Sequence, residues 1–224
     1  MINQTQATTI LFENEACLVL NKRCGEVGQM SNGHLWPVHR LDTPASGCLL
    51  LAKTKMAAAF LSSAFAAERA VEKRYWAIVE KARRHEMPPT GEWQEAVHWI
   101  QFASRLNKSF AYIEKKANTK RALLRWRFVG SGDHYLFLEL ELITGRHHQI
   151  RAQLAAIGLH IKGDLKYGAR RSEKDGGIRL HARSLSFPNP LYKQSTELNQ
   201  PETILVEALP LFQDQLWEAF LNFS

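Results

Sequence analysis

Apolar and polar positions alternate with a period of two through much of this chain, and lengthen to a helical period in three places. Leu136, Leu138, Leu140 and Leu142 interleave with Tyr135, Phe137, Glu139 and Glu141, which predicts a half-buried strand over 134–143. In 121–129 the residues Ala122, Leu124, Trp126 and Phe128 form a core side, and Arg121, Arg125 and Arg127 form a basic one. Tyr75, Ala77 and Val79 alternate with Trp76 and Ile78, so the strand at 72–79 is apolar on both faces and is expected at the centre of a sheet. Shorter strand patterns fall at 8–12, 17–20, 93–102, 110–114, 178–187 and 203–208, and an apolar run follows Gly47.

The first helical period starts after Thr54, a good N-cap, and carries Ala57, Phe60, Leu61 and Ala64 to about Ala67. A second is expected from Gly145 to about Ile157, with the stripe Ile150, Leu154 and Ile157 and the stop residue Gly158. A short third one holds Leu216, Trp217, Phe220 and Leu221. Residues 22–37, 82–91 and 162–177 read as loops, the second containing Arg83-Arg84-His85, and no internal repeat is present. This balance predicts an α+β protein without selecting its topology.

A chain of 224 residues buries a sizeable core and is expected to form a single domain, 1–224, or two intimately joined halves. Its net charge of +7 points to a polyanionic partner. Cys17, Cys24 and Cys48 are odd in number and widely spaced, which suggests neither a disulfide framework nor a zinc site and fits a reducing cytoplasm. No signal-peptide pattern opens the sequence and no run approaches a membrane span, so a soluble cytoplasmic protein with no membrane partner is expected.

The chemistry concentrates in His39-Arg40-Leu41-Asp42, followed by Thr43-Pro44-Ala45-Ser46-Gly47. A carboxylate there stands beside a cation at the mouth of a strand, although an Asp before a turn commonly just satisfies its own backbone. A second polar constellation, Thr144-Gly145-Arg146-His147-His148-Gln149-Ile150-Arg151, lies far along the chain, and Glu72-Lys73-Arg74-Tyr75 carries an aromatic hydroxyl between the two. Ile161-Lys162-Gly163-Asp164-Leu165-Lys166-Tyr167-Gly168 and Arg179-Leu180-His181-Ala182 complete the set. In this order the segments resemble the RluA-type family of RNA pseudouridine synthases, over most of residues 8–190.

The resemblance implies the pseudouridine synthase fold: a mixed, largely antiparallel curved sheet in two halves, with surrounding helices and a central catalytic cleft. It also implies a monomer acting on structured RNA, ribosomal or transfer, with no cofactor and no metal; the separate S4-type RNA-binding domain that some relatives carry is not expected, since the first strand begins near residue 8. Asp42 takes the nucleophile's position, and a carboxylate that must stay ionised in a dry pocket calls for a guanidinium, here Arg151. Tyr75 matches the pocket tyrosine, able to stack on uracil and to share in proton removal from C5. Ile150 supplies the opposing apolar wall, Arg40 braces the space left by the flipped nucleotide, and His39 orients the loop by hydrogen bonding.

For phosphate, Arg146 is expected at the positive end of the second helix. Lys115, Lys116, Lys120 and Arg121 make one basic patch, and Lys166, Arg170, Arg171 and Lys174 another. Two departures stand out: Lys22-Arg23-Cys24-Gly25 where the family often has Lys-Pro-x-Gly, and Gln153 where many members have His. A metal hydrolase using His39, His147, His148 and His181 beside Asp42 and Asp164 is disfavoured, because adjacent histidines on a helix are expected to point apart. A non-catalytic RNA-binding module retaining the fold is the other alternative.

Overall fold

A computed structural model describes residues 9–27, 34–81, 87–191, 202–211 and 214–223. Parts of the 22–37 loop and the Arg83-Arg84-His85 run lie outside the described residues. The strands are β1 (Thr9–Glu13), β2 (Cys17–Lys22), β3 (Trp36–Pro37), β4 (Ser46–Ala52), β5 (Glu72–Glu80), β6 (Trp93–Ala103), β7 (Lys108–Tyr112), β8 (Lys120–Ser131), β9 (Tyr135–Leu142), β10 (Leu180–Pro188) and β11 (Thr203–Glu207). The helices are α1 (Lys55–Ala66), α2 (Gln149–Ala156) and α3 (Gln215–Leu221).

All of these strands belong to one sheet of order β1-β2-β4-β10-β5-β9-β8-β6-β7, with β3 also on β4 and β11 also on β10. Pairing is antiparallel except between β4 and β10, where a parallel seam of two residue pairs, His181 with Ser46 and Ala182 with Gly47, joins the two halves. Gly47 has φ +109°, and a Cβ there would lie 2.3 Å from the Ala182 carbonyl oxygen, so only glycine permits this approach. β4 begins four residues after Asp42, so that residue is delivered to the mouth of the seam.

β5 sits mid-sheet as its two apolar faces predict. Tyr75, Ala77 and Val79 enter the main core, while Trp76 and Ile78 join Phe137, Trp217 and Phe220 in a smaller one closed by α3. This corrects the half-buried reading of β9: Phe137 is fully buried because α3 covers its side. The arginine face of β8 is not free either, since Arg125 donates to Glu141 at 2.7 Å and Arg127 to Glu139 at 2.7 Å across the strands.

The Thr54 hydroxyl accepts from the Ala57 N–H at 3.1 Å and starts α1 where expected. Its buried stripe is Ala57 and Leu61, while Phe60 is turned to solvent and Phe65, four residues beyond Leu61, packs on the core. Among the described residues no helix is long and apolar enough to cross a membrane.

Candidate active site

Asp42 does make the turn its sequence suggests, for its carbonyl accepts from the Ala45 N–H at 2.9 Å, yet this leaves the carboxylate for other work. The loop behind it is clamped from three directions. Fully buried Lys22 donates from Nζ to the carbonyls of Arg23, Glu26 and Thr43 at 2.7, 3.0 and 3.1 Å. The Gly25 N–H also meets the Thr43 carbonyl at 2.8 Å, and the Ile178 N–H meets that of Pro44 at 2.9 Å. Burial pushes Lys22 down to about 8. Thus the departing segment Lys22-Arg23-Cys24-Gly25 is what holds the aspartate loop in this chain.

His39 orients the same loop: its Nε2 accepts from the Leu50 N–H at 2.9 Å, and its ring stacks on Phe65 with centroids 4.6 Å apart. Burial first, and the Lys73 charge second, hold it neutral with a pKa of about 4, as an acceptor requires.

α2 brings the other half of the site, but it starts at Gln149 and not at Gly145. The Gln149 side chain explains why: its Oε1 accepts from the Arg146 N–H at 2.9 Å and the Thr144 hydroxyl at 2.8 Å, while Nε2 donates to the Leu123 carbonyl at 3.1 Å. Residues 145–148 are thereby held as a turn. Arg146 therefore does not open the helix; it is exposed, with Nε donating to the Arg121 carbonyl at 3.1 Å. His148 adopts a left-handed φ of 49°, so the two adjacent rings do not point apart as expected but stack, with centroids 3.8 Å apart.

Arg151 is buried and grips two carboxylates. Its Nη1 donates to Asp42 Oδ2 at 3.2 Å, the ion pair expected from sequence. Its fork grips Asp164 more tightly, Nε to Oδ2 at 2.6 Å and Nη2 to Oδ1 at 2.8 Å. Burial alone would lower the Arg151 pKa, but Asp164 and then Asp42 raise it above its ordinary value.

The Tyr167 hydroxyl accepts from the Ser109 N–H at 2.8 Å and shares a hydrogen bond of 3.0 Å with His148 Nδ1. When the hydroxyl is the donor in that bond, the proton of His148 lies on Nε2, which faces Asp42 Oδ2 at 3.8 Å. Burial and the Arg151 charge hold His148 neutral, near pKa 3.

These groups surround a cavity of about 320 Å³, at the small end of ligand pockets. Asp42, Tyr75, Ile150 and Arg151 line it with Leu41, Leu142 and Leu180, and Arg40, Lys73 and Arg146 add cations. Burial, and the nearby Asp42 charge, push the Tyr75 phenol well above its ordinary pKa. Lys166 lies outside the lining, its Nζ on the Asn107 carbonyl at 3.1 Å. Gln153 is also elsewhere: fully buried, it donates to the Ala96 carbonyl at 2.7 Å and ties α2 to β6.

Asp164 and His148, which the sequence suggests only for the disfavoured metal site, and Tyr167 and Lys73, to which it gives no role, are also neighbours of this site. Among the described residues no group of three or more His, Cys, Asp or Glu is arranged to hold a metal ion. Asp42 and Asp164 instead share a guanidinium.

The family model described as RNA pseudouridylate synthase matches residues 26–156, more than half of the chain. The chain therefore belongs to that family, as its RluA-type motifs led us to expect. Ribosomal large subunit pseudouridine synthase C of Vibrio vulnificus is 28% identical over 215 residues, which is 86% of this chain but only 65% of that protein's length. The tRNA pseudouridine synthase C of Haemophilus ducreyi is 29% identical, with 95% of this chain and 94% of that protein covered. Human RNA pseudouridylate synthase domain containing 1 has the same fold, with a TM-score of 0.69 at 22% identity over 99% of this chain and 97% of that one.

Proposed function

We propose that this protein isomerises uridine to pseudouridine in structured RNA, ribosomal or transfer, as a single cytoplasmic catalytic domain that acts as a monomer. The observation that carries the reading is the state of Asp42. It lines a largely apolar cavity and receives one 3.2 Å hydrogen bond from an arginine that a second carboxylate already holds by two. Such a carboxylate is aimed and under-engaged, which is what a nucleophile that must attack and leave again requires.

The target uridine is extruded from its RNA into the cavity at a cost of a few kcal/mol, offset by contacts made only afterwards. Arg40 and Arg146, both exposed beside the cavity, fit the vacated stack and the phosphates. Asp42 attacks the sugar or the pyrimidine ring, and the bond from N1 to C1′ breaks. The uracil turns between Tyr75 and Ile150, C5 bonds to C1′ and the bond to Asp42 breaks, freeing the carboxylate, and the C5 proton leaves as N1 gains one. No atoms enter or depart overall, so no co-substrate is consumed. Because Tyr75 is held as a phenol, it relays the C5 proton through its hydroxyl and does not take it as a phenolate.

The test is tritium release from cellular RNA labelled at uridine C5, with wild type and Asp42→Asn. Release by wild type and none by the variant, with RNA binding retained, is the expected result. Appreciable turnover by Asp42→Asn removes Asp42 as the nucleophile, and no release by wild type from unmodified target RNA favours the RNA-binding module.

A further inference from the structure

Phe102 is exposed by 46% near the end of β6. An isolated exposed phenylalanine needs no explanation. This one is the outer ring of a ladder. It packs on His147 with ring centroids 4.0 Å apart and the planes tilted by 43°, His147 stacks on His148 at 3.8 Å, and His148 faces Asp42. The ladder is built in: Phe102 pairs with Ser109 across β6 and β7, and the Ser109 hydroxyl donates to the His147 carbonyl at 2.6 Å.

Cations lie close to it. Lys166 is anchored on Asn107 in the turn leaving Phe102, and Arg40 and Lys166 both act electrostatically on His147. Aromatic faces set in positive charge are the means by which proteins hold unpaired bases, since every base has a stacking face and every nucleotide a phosphate.

Resting on the reading of this protein as an RNA-acting isomerase, we infer that the free face of Phe102, backed by His147 with Arg40 and Lys166 nearby, is a stacking subsite. Its occupant is an unpaired base adjacent to the uridine that enters the cavity. The subsite selects uridines in loops or bulges over those inside a continuous helix, because only there can a neighbouring base swing out.

The probe is a hairpin RNA whose loop carries one uridine beside a fluorescent aminopurine, which stacking quenches. Wild type is expected to quench it on binding. Phe102→Leu, which keeps an apolar side chain at an exposed position, is expected to lose the quench and weaken binding about tenfold. Phe102→Tyr restores both. Absence of quenching by wild type, or its survival in Phe102→Leu, overturns the subsite. Tritium release by wild type is measured alongside: a protein that quenches without release keeps the subsite and loses the isomerase reading, and release without quenching does the reverse.

Discussion

Among the described residues two buried arginines each hold two carboxylates, and only one of these centres is proposed as a reactive site. Arg179 donates to Glu173 at 3.1 and 3.2 Å and to Asp214 through both terminal nitrogens, Lys162 also contacts Glu173, and Asp214 caps α3 by accepting from Trp217 N–H at 3.2 Å. Every carboxylate there is saturated. Arg151 holds Asp164 just as firmly but, among the described residues, leaves Asp42 with a single long side-chain bond. Each arginine also borders a cavity of similar size, about 270 Å³ beside Arg179 and about 320 Å³ beside Arg151. What separates scaffold from chemistry is thus neither burial nor charge pairing, but one carboxylate kept short of partners.

Removing one carboxylate from each centre tests this most severely. In Asp164→Asn, Arg151 loses its charged anchor and is expected to turn its fork onto Asp42, engaging the free oxygen. Turnover should fall by at least about a hundredfold, the scale of a lost preorganised electrostatic contact. Glu173→Gln should cost a comparable few kcal/mol of stability, on the order of 3 kcal/mol for breaking a buried pair. Its turnover, however, should stay within about twofold of wild type, as for a residue that touches no reacting group. Equal rate losses in the two variants, measured at a temperature where both are folded, would erase the distinction.

The same comparison marks what was legible in the residues alone. The two-sided apolarity of β5 and the Asp42–Arg151 pair could be anticipated, one from alternation and the other from motif resemblance. The start of α2 could not. Its register is set by the Gln149 side chain reaching the Leu123 carbonyl, a long-range bond that outranks the local helical pattern of 145–148. That displaced start carries with it the left-handed His148, the stacked histidine pair and the loss of Arg146 as a helix-end phosphate ligand. Asp164 escaped for a related reason: nothing local distinguishes a loop aspartate that ends up 2% exposed on an arginine from one left in water.

Each centre also carries a buried neutral histidine, and acid should strain both. His148 beside Arg151 sits near pKa 3, and His181, packed edge-on to Trp217 beside Arg179, near 4, burial being the first cause in each. Both values lie below the ordinary 6.5, so the unfolded chain binds these protons first. The stability they support is complete above pH 6.5 and is lost as pH falls toward 4. Urea melts from about pH 7 to about pH 4.5 should show unfolding free energy falling, with each histidine adding at most about 1.4 kcal/mol per pH unit. A flat profile over that window would mean that these histidines are not held neutral.

The smallest effect concerns the proton on His148. The Tyr167 hydroxyl accepts from Ser109 and meets Nδ1, and the tautomer in which it donates there puts the histidine N–H on the side of Asp42. Tyr167→Phe removes the instruction while keeping the ring beneath Arg151, whose guanidinium lies 4.9 Å from its centroid. Nitrogen NMR of His148 should change from one tautomer to a mixture, and the turnover rate should drop by less than about tenfold, below the ~100-fold typical of a lost proton-transfer group. Loss of rate with the tautomer unchanged would reduce Tyr167 to packing. A mixed tautomer with full activity would show instead that Asp42 is poised by its arginine alone, and that the second difference between the two arginine centres, a histidine dipole aimed at the carboxylate, has no part in the chemistry.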